Sequence, residues 1–357
     1  MRVYNFSAGP ATLPEEVLKQ AQAELLDFEN SGMSIMEMSH RGKEYSAIHN
    51  ETIENIKQLL AIPEGYSVLF MTGGASSQFA LIPMNLLGEG EVADYTNSGT
   101  WAAKAIKEAK ALGQVHVAVD CGKEIPTRVP TLEELDLTDG AAYLHITSNE
   151  TISGAQWKVF PEHKTLIADM SSDILSRPLD VSKFGLIYAG AQKNLGPAGV
   201  TLVIMKDELA ERCPESVPTI MRYKTFIENN SLFNTAPTFP IYMLCLVTRW
   251  LLAQGGLEAV EKKNREKAAK LYAAIDQSDF YKGTALPEFR SDMNVTFRLT
   301  NEELEPLFIE EAAKKNLTGL KGHRSVGGVR ASIYNAFPSE GVDALISFMK
   351  EFEATHG

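Results

Sequence analysis

The segment Ile187-Tyr188-Ala189-Gly190-Ala191-Gln192-Lys193-Asn194-Leu195-Gly196-Pro197 separates two apolar runs of the chain. The run before the turn, Phe184 to Tyr188, predicts a buried strand, and Val200 to Met205 predicts the next strand. A single lysine, Lys193, stands between them among small and amide residues. A lysine on a tight turn just past a buried strand is placed to react with carbonyl groups. Taken alone, the residue fits a solvated loop lysine better, since most lysines are solvated.

The same pattern of strand, loop and helix repeats on the N-terminal side of this turn. Further strands are predicted at Tyr66 to Met71, Glu91 to Tyr95, Val115 to Val119, Ala141 to Thr147 and Thr165 to Asp169. Short apolar runs separated by helices indicate an α/β fold, with a mostly parallel sheet that carries helices on both faces. We expect this large domain to span residues 15–255.

The pattern changes near Gly255, where a long charged helix leads into an alternation of two strands and two helices. This change predicts a smaller α+β domain, which we expect to consist of residues 1–14 and 256–357. Two further expectations concern the large domain. A helix is predicted to begin at Pro14 and to continue through Phe28, and Cys213 to Pro240 is predicted to be irregular.

Composition and charge exclude several kinds of partner. The 357 residues carry a net charge of −12, which disfavours nucleic acid and anionic membranes. No apolar run approaches the roughly 20 residues that span a bilayer. The three cysteines, Cys121, Cys213 and Cys245, lack the spacing of a metal or redox site, so we expect no metal and a cytoplasmic location.

Polar side chains follow each predicted strand, at the edge of the sheet where open α/β folds bind ligands. They form a phosphate-type glycine loop at Gly73-Gly74-Ala75-Ser76, an aromatic at Trp101, a hydroxyl at Thr151, a carboxylate at Asp169, and Gln192-Lys193. A carboxylate at the end of an apolar strand needs a cationic or N–H partner, such as a protonated pyridine nitrogen. Each feature alone has an ordinary structural explanation, whereas their order along the chain is far more specific.

With these residues the chain resembles the fold-type I enzymes that depend on pyridoxal 5'-phosphate (PLP), and within them the class V phosphoserine aminotransferases. The stretches that carry the resemblance extend from one end of the chain to the other: Asn5 to Pro10, Met38 to Lys43, Gly73 to Phe79, Ala189 to Asn194, Asn234 to Pro237 and Gly322 to Asn335. The resemblance implies transfer of an amino group between phosphoserine with 2-oxoglutarate and 3-phosphohydroxypyruvate with glutamate, in serine biosynthesis. A related substrate in the family, 4-phosphohydroxythreonine, would add a role in pyridoxine biosynthesis.

The resemblance also implies a role for each residue of the site. Lys193 would carry the cofactor as a Schiff base and move the proton during catalysis. The remaining cofactor contacts would come from Ala75, Ser76, Trp101, Thr151, Asp169 and Gln192, with Asn234 and Thr235 reaching in from the second subunit of a homodimer. Substrate anions would be held by His40, Arg41, His323, Arg324 and Arg330.

One position departs from the family pattern, since some members have arginine where this chain has Ser76. The departure concerns the grip on the substrate phosphate rather than the reaction. Three alternatives stay open: an aminotransferase for another amino acid, a cysteine desulfurase, and a non-catalytic protein that binds phosphometabolites. A desulfurase needs a reactive cysteine on a mobile loop, and a binding protein would not need Lys193 together with Asp169 and Trp101.

Overall fold

The structure, a computed structural model, describes residues 2–357. Its strands are β1 (Tyr4–Asn5), β2 (Tyr66–Met71), β3 (Val92–Asn97), β4 (Gln114–Asp120), β5 (Leu144–Thr147), β6 (Asn149–Glu150), β7 (Ala155–Gln156), β8 (Leu166–Asp169), β9 (Leu186–Gly190), β10 (Thr201–Lys206), β11 (Tyr281–Gly283), β12 (Asn294–Leu299), β13 (Leu317–Thr318) and β14 (Val329–Ser332). Its helices are α1 (Glu15–Ala23), α2 (Lys43–Leu60), α3 (Gly74–Leu86), α4 (Thr100–Lys110), α5 (Tyr223–Glu228), α6 (Thr238–Ala253), α7 (Gly256–Asp276), α8 (Glu305–Lys314) and α9 (Ser339–His356).

The central element is a seven-stranded sheet in the order β2-β10-β9-β8-β5-β3-β4. β10 runs antiparallel to both of its neighbours, and the other pairs are parallel. Because parallel strands point the same way, the ends of β5, β8 and β9 meet at one edge of the sheet. The expected α/β fold with a mostly parallel sheet is confirmed.

Successive residues of the central strands pack into two different cores, which is why these runs are apolar throughout. In β2, Val68 and Phe70 belong to the core under α2 and α6, whereas Leu69 and Met71 belong to the core under α3 and α4. The alternation follows from the two-residue period of a strand. Helices therefore cover both faces of the sheet, as the sequence predicts.

A third core lies in the C-terminal part of the chain. It is built around the antiparallel sheet β11-β12-β14 and includes side chains of α7, α8 and α9. The N-terminal residue Phe6 is fully buried in the same core, and β1 pairs in parallel with β13. The two ends of the chain are thereby tied together.

Two local expectations differ from the structure. The first helix ends at Ala23 instead of continuing through Phe28, and Leu25 and Leu26 are exposed. The apolar spacing continues past Ala23, but Leu25 and Leu26 bury little surface, and Phe28 reaches the core from a separate short turn, Phe28–Asn30. The segment Cys213 to Pro240 contains the short helix α5, whose Tyr223 and Phe226 pack under the sheet.

Between residues 2 and 357, we find no helix that is both long enough and apolar enough to cross a bilayer.

Candidate active site

A cavity of about 300 Å³ opens at the edge of the sheet where β5, β8 and β9 end. The N-terminal ends of α3 and α4, the strand β14 and the loop before it complete the wall. Its lining consists of Ala8, Gly9, Gly74, Ala75, Ser76, Trp101, Thr147, Asn149, Thr151, Ile152, Asp169, Ser171, Ser172, Gln192, Lys193, His323 and Arg330. The structure thus brings together most of the residues that the sequence singles out.

Lys193 lies on the turn after β9 and is only 8% exposed. Its Nζ donates a hydrogen bond to Thr151 Oγ1 over 2.7 Å. Burial lowers the pKa of Lys193 to about 8; the Asp169 carboxylate opposes this effect, and the Arg330 guanidinium adds to it. A lysine with this pKa is in its neutral, nucleophilic form far more often near neutral pH than an exposed lysine is.

Asp169, the last residue of β8, is buried beside Lys193. Its Oδ1 accepts a hydrogen bond from the Ser171 backbone N–H over 2.9 Å. Burial raises the pKa of the Asp169 carboxyl, and the hydrogen bonds from Ser171 and the charge of Lys193 only partly offset the rise. The carboxylate therefore has capacity for a further cationic or N–H partner in the cavity.

The glycine loop leads into α3 through two residues with positive φ, Gly73 at 94° and Gly74 at 67°. This backbone conformation is one that residues with a side chain rarely adopt. Gly74, Ala75 and Ser76, in the first turn of α3, line the cavity. A helix N-terminus of this kind binds phosphate through its free N–H groups and its dipole.

Trp101 stands in the first turn of α4, and its ring lines the cavity. The centre of the ring lies 5.9 Å from Lys193 Nζ. Its indole Nε1 is buried without a hydrogen-bond partner among the described residues, as is Thr147 Oγ1. An aromatic face and unused polar atoms at one cavity suit an aromatic ligand that carries polar groups.

Glu150 is a buried carboxylate that the sequence analysis did not single out. It is 0% exposed and accepts hydrogen bonds from the backbone N–H groups of Ala102, at 3.2 Å, and Trp101, at 3.4 Å. Burial raises the pKa of Glu150 to about 7, and the negative charge of Asp169 adds to the rise. The contact between the Glu150 carboxylate and these N–H groups depends on how β6 packs against the start of α4, so no sequence pattern predicts it.

Arg330 reaches the cavity from β14. Its Nη1 donates a hydrogen bond to the Thr151 backbone carbonyl over 3.3 Å, while its Nε is buried without a partner. Most arginines of the chain, such as Arg128 and Arg249, face a carboxylate. Among residues 2–357, Arg41, Arg324 and Arg330 take part in no ion pair. In the same range Arg222 is also without a carboxylate, but its guanidinium donates hydrogen bonds to two backbone carbonyls. Of the first three arginines, Arg330 lines the cavity, and its unpaired guanidinium is suited to bind an anion there.

Five of the expected site residues do not line the cavity: His40, Arg41, Asn234, Thr235 and Arg324. His40 Nε2 and Asn234 Oδ1 are nevertheless buried without partners in the part of the chain described. Arg324 is exposed on the loop beside His323, whose ring does line the cavity.

None of the three cysteines lines the cavity. Cys121 and Cys245 are buried, and burial raises the pKa of both thiols. Burial also raises the pKa of Cys213. Thiols with raised pKa values are poor nucleophiles, which disfavours the desulfurase alternative.

Comparisons with known proteins agree with this geometry. The family model described as Aminotransferase class-V matches residues 3–345. A phosphoserine aminotransferase of Desulfosudis oleivorans is 57% identical over 360 residues, which cover 100% of this chain and 99% of that protein.

Two solved structures extend the comparison. A phosphoserine aminotransferase from Bacillus circulans subsp. alkalophilus has a TM-score of 0.97 at 55% identity, covering 100% of this chain and 99% of the other. A PLP-bound phosphoserine aminotransferase from Trichomonas vaginalis has a TM-score of 0.94 at 42% identity, covering 98% of this chain and 100% of the other. With sequence, fold and site geometry in agreement, the chain belongs to the class V aminotransferases and, within them, to the phosphoserine aminotransferase family.

Proposed function

We propose that this protein is a PLP-dependent transaminase that converts phosphoserine and 2-oxoglutarate to 3-phosphohydroxypyruvate and glutamate, and the reverse, in serine biosynthesis. The observation that carries the proposal is Lys193, buried 2.7 Å from Thr151 and beside Asp169 in a cavity of about 300 Å³. Its lowered pKa makes the amine nucleophilic. A protein that only binds phosphometabolites has no need of such a lysine.

The residues at the cavity fit PLP by their chemistry. Asp169 has room for a ring N–H, the Trp101 face suits stacking on an aromatic ring, and Thr151 can bond a phenolic oxygen. The start of α3, with Ala75 and Ser76, together with the Gln192 side chain suits a phosphate. When bound, PLP draws electrons from the substrate Cα and stores the amino group between the two halves of the reaction.

The chain itself supplies binding and proton transfer. Lys193 Nζ accepts the proton that leaves the substrate Cα, and Thr151 Oγ1 orients this amine. The guanidinium of Arg330 holds the substrate α-carboxylate in a two-pronged grip. Ala8 and Gly9 lie in the cavity wall, with Gly9 against the Lys193 side chain, and keep water from that side.

His323 and Arg324 would hold the distal phosphate of phosphoserine or the distal carboxylate of glutamate. Both stand on the loop before β14, and Arg324 has no ion-pair partner among the residues described. We propose that His40 and Arg41 serve the same anion from a second subunit. The use of 4-phosphohydroxythreonine in pyridoxine biosynthesis is part of the same proposal, since this substrate also carries a phosphate.

We further propose that the active enzyme is a homodimer in the cytoplasm, in which Asn234 and Thr235 complete the cofactor phosphate site of the partner. Two observations support the dimer. Asn234 and Thr235 lie outside the cavity lining of their own chain, and Asn234 Oδ1 is buried without a partner. Large apolar side chains such as Leu26, at 85% exposure, and Met36, at 54%, also face outward.

A mixing experiment tests the shared site. Lys193→Ala and Asn234→Ala variants, each weak alone, are co-refolded in equal amounts. If each site draws on both chains, about a quarter of the possible sites regains wild-type residues at both positions, and activity reappears. Activity that stays at the sum of the two variants would contradict the shared site.

We also propose residues 15–255 as the large domain, and residues 1–14 with 256–357 as the small domain.

The function itself is tested by a half-reaction followed by absorption. The purified protein is loaded with PLP, and L-phosphoserine is added without any keto acid. We expect the absorption band of the lysine-bound cofactor to convert to that of pyridoxamine phosphate, whereas L-alanine and L-cysteine leave it unchanged. Lys193→Ala should lose turnover, while the exposed Lys183→Ala serves as the control. A band that phosphoserine leaves unmoved would overturn the substrate assignment.

A further inference from the structure

Lys104 lies on α4, three residues after Trp101, and was not singled out by the sequence analysis. Its ammonium nitrogen is 4.1 Å from the centre of the Trp101 ring. A cation over an indole face is attracted to the ring, so the otherwise flexible side chain is held in this position. Since the Trp101 ring lines the cavity, Lys104 brings a positive charge to the edge of the site.

The positive charge of Lys104 acts on the same histidine as two arginines of the site. The pKa of His323 is lowered by burial first, and then by the positive charges of Arg330, Arg324 and Lys104. Lys104 therefore lies within electrostatic range of the loop before β14, as do both arginines. Among residues 2–357 none of these three cations takes part in an ion pair, although exposed lysines such as Lys270 do.

Cations that lie close together and take part in no ion pair repel one another in the free protein, and a bound polyanion relieves this repulsion. Phosphoserine carries an α-carboxylate and a phosphate dianion. With Arg330 assigned to the α-carboxylate, His323, Arg324 and Lys104 are the groups of the same chain that remain for the dianion, in addition to the proposed His40 and Arg41 of the second subunit. Ser76, at the position where some relatives have arginine, supplies no charge.

We propose that Lys104 is a specificity-determining residue, whose ammonium binds the distal phosphate dianion of phosphoserine and favours it over the distal carboxylate of glutamate. The inference rests on the proposed function. Because the phosphate carries twice the charge of the carboxylate, loss of one nearby cation weakens phosphoserine binding more than glutamate binding.

The test compares three variants in the PLP-loaded enzyme: Lys104→Gln, Lys104→Arg and, as a control on the same helix, the exposed Lys107→Gln. The two half-reactions are measured separately with L-phosphoserine and with L-glutamate. We expect Lys104→Gln to raise the half-saturating concentration of phosphoserine about five- to tenfold, and that of glutamate about twofold or less. Lys104→Arg should restore most of the affinity, and Lys107→Gln should behave as wild type.

A second readout does not depend on turnover. In Lys104→Gln the pKa of His323, followed by NMR, should rise toward its ordinary value because one of the charges that lowers it is gone. Inhibition by inorganic phosphate should weaken in the same variant, more at low salt than at high salt.

Equal losses for both substrates, or no loss for either, would overturn the role of Lys104. An unchanged His323 pKa would do the same. If wild type itself fails to react with phosphoserine, the proposed function fails instead, so the two failures are distinguishable.

Discussion

Replacing Glu150 with glutamine should change how the stability of the protein depends on pH. Glu150 is 0% exposed, and its carboxylate lies at the first turn of α4 beside the backbone N–H groups of Trp101 and Ala102. Burial raises its pKa from the ordinary 4.5 to about 7, with a further contribution from Asp169. At a pH between 4.5 and about 7, the Glu150 carboxyl therefore keeps its proton in the folded protein and has lost it in the unfolded chain.

Because the folded state binds more protons in this window, stability decreases as the pH rises through it. At about 1.36 kcal/mol per pH unit, a rise from 4.5 to about 7 corresponds to a loss of about 3 kcal/mol. The loss is complete above pH 7 and absent below about pH 4.5. Glutamine cannot ionise, so Glu150→Gln does not lose this stability as the pH rises.

Urea denaturation of the cofactor-free protein, at about pH 5 and about pH 8.5, measures the difference. We expect the stability of Glu150→Gln relative to wild type to be higher at the alkaline pH by about 2 to 3 kcal/mol. Any change in hydrogen bonding that does not depend on pH cancels in this comparison. Glu108→Gln, on the exposed side of α4, is the control. A relative stability that is equal at both pH values would refute the reasoning.

Three further predictions concern the reaction. In the cofactor-free protein, mass spectrometry should show that labelling of Lys193 by an amine reagent rises with pH around a midpoint near 8. An exposed lysine has its midpoint near 10.4. A midpoint near 10 for Lys193 would contradict its assigned environment. Asp169→Asn should lower this midpoint, because the Asp169 carboxylate raises the pKa of Lys193 more than any other charge does. Turnover should fall as well. An unmoved midpoint would show that the two groups do not interact. Arg330→Lys should raise KM for phosphoserine and glutamate together by about tenfold, since an ammonium cannot reproduce the fork of a guanidinium; a change confined to one substrate would argue against a grip on the shared α-carboxylate.

The central sheet was predictable because a strand buried on both faces carries consecutive apolar residues, as in Val68 to Met71. The position of Lys193 followed from the same logic, since the residue after such a strand reaches the ligand-binding edge. The end of the first helix was not predictable from spacing, because Leu25 continues the pattern but finds no core to pack against.

Glu150 and Lys104 were not predictable for a different reason. A glutamate after a short strand and a lysine on an amphipathic helix are ordinary in sequence. Their roles depend on which helix turn meets which strand end, and this register is fixed only by packing. The family resemblance pointed to most of the cavity residues, but it did not point to these two.

The first residues of the chain are among the last to find their place. Tyr4 and Asn5 pair with Leu317 and Thr318, and the Ala8 carbonyl accepts a hydrogen bond from the Tyr334 hydroxyl. Gly9, the residue after Ala8, lies against Lys193. During synthesis, residues 4–9 leave the ribosome long before residues 317–334 do. The wall over the reactive lysine can therefore close only after residues 317–334 have been made, and a polypeptide that stops before them cannot assemble it.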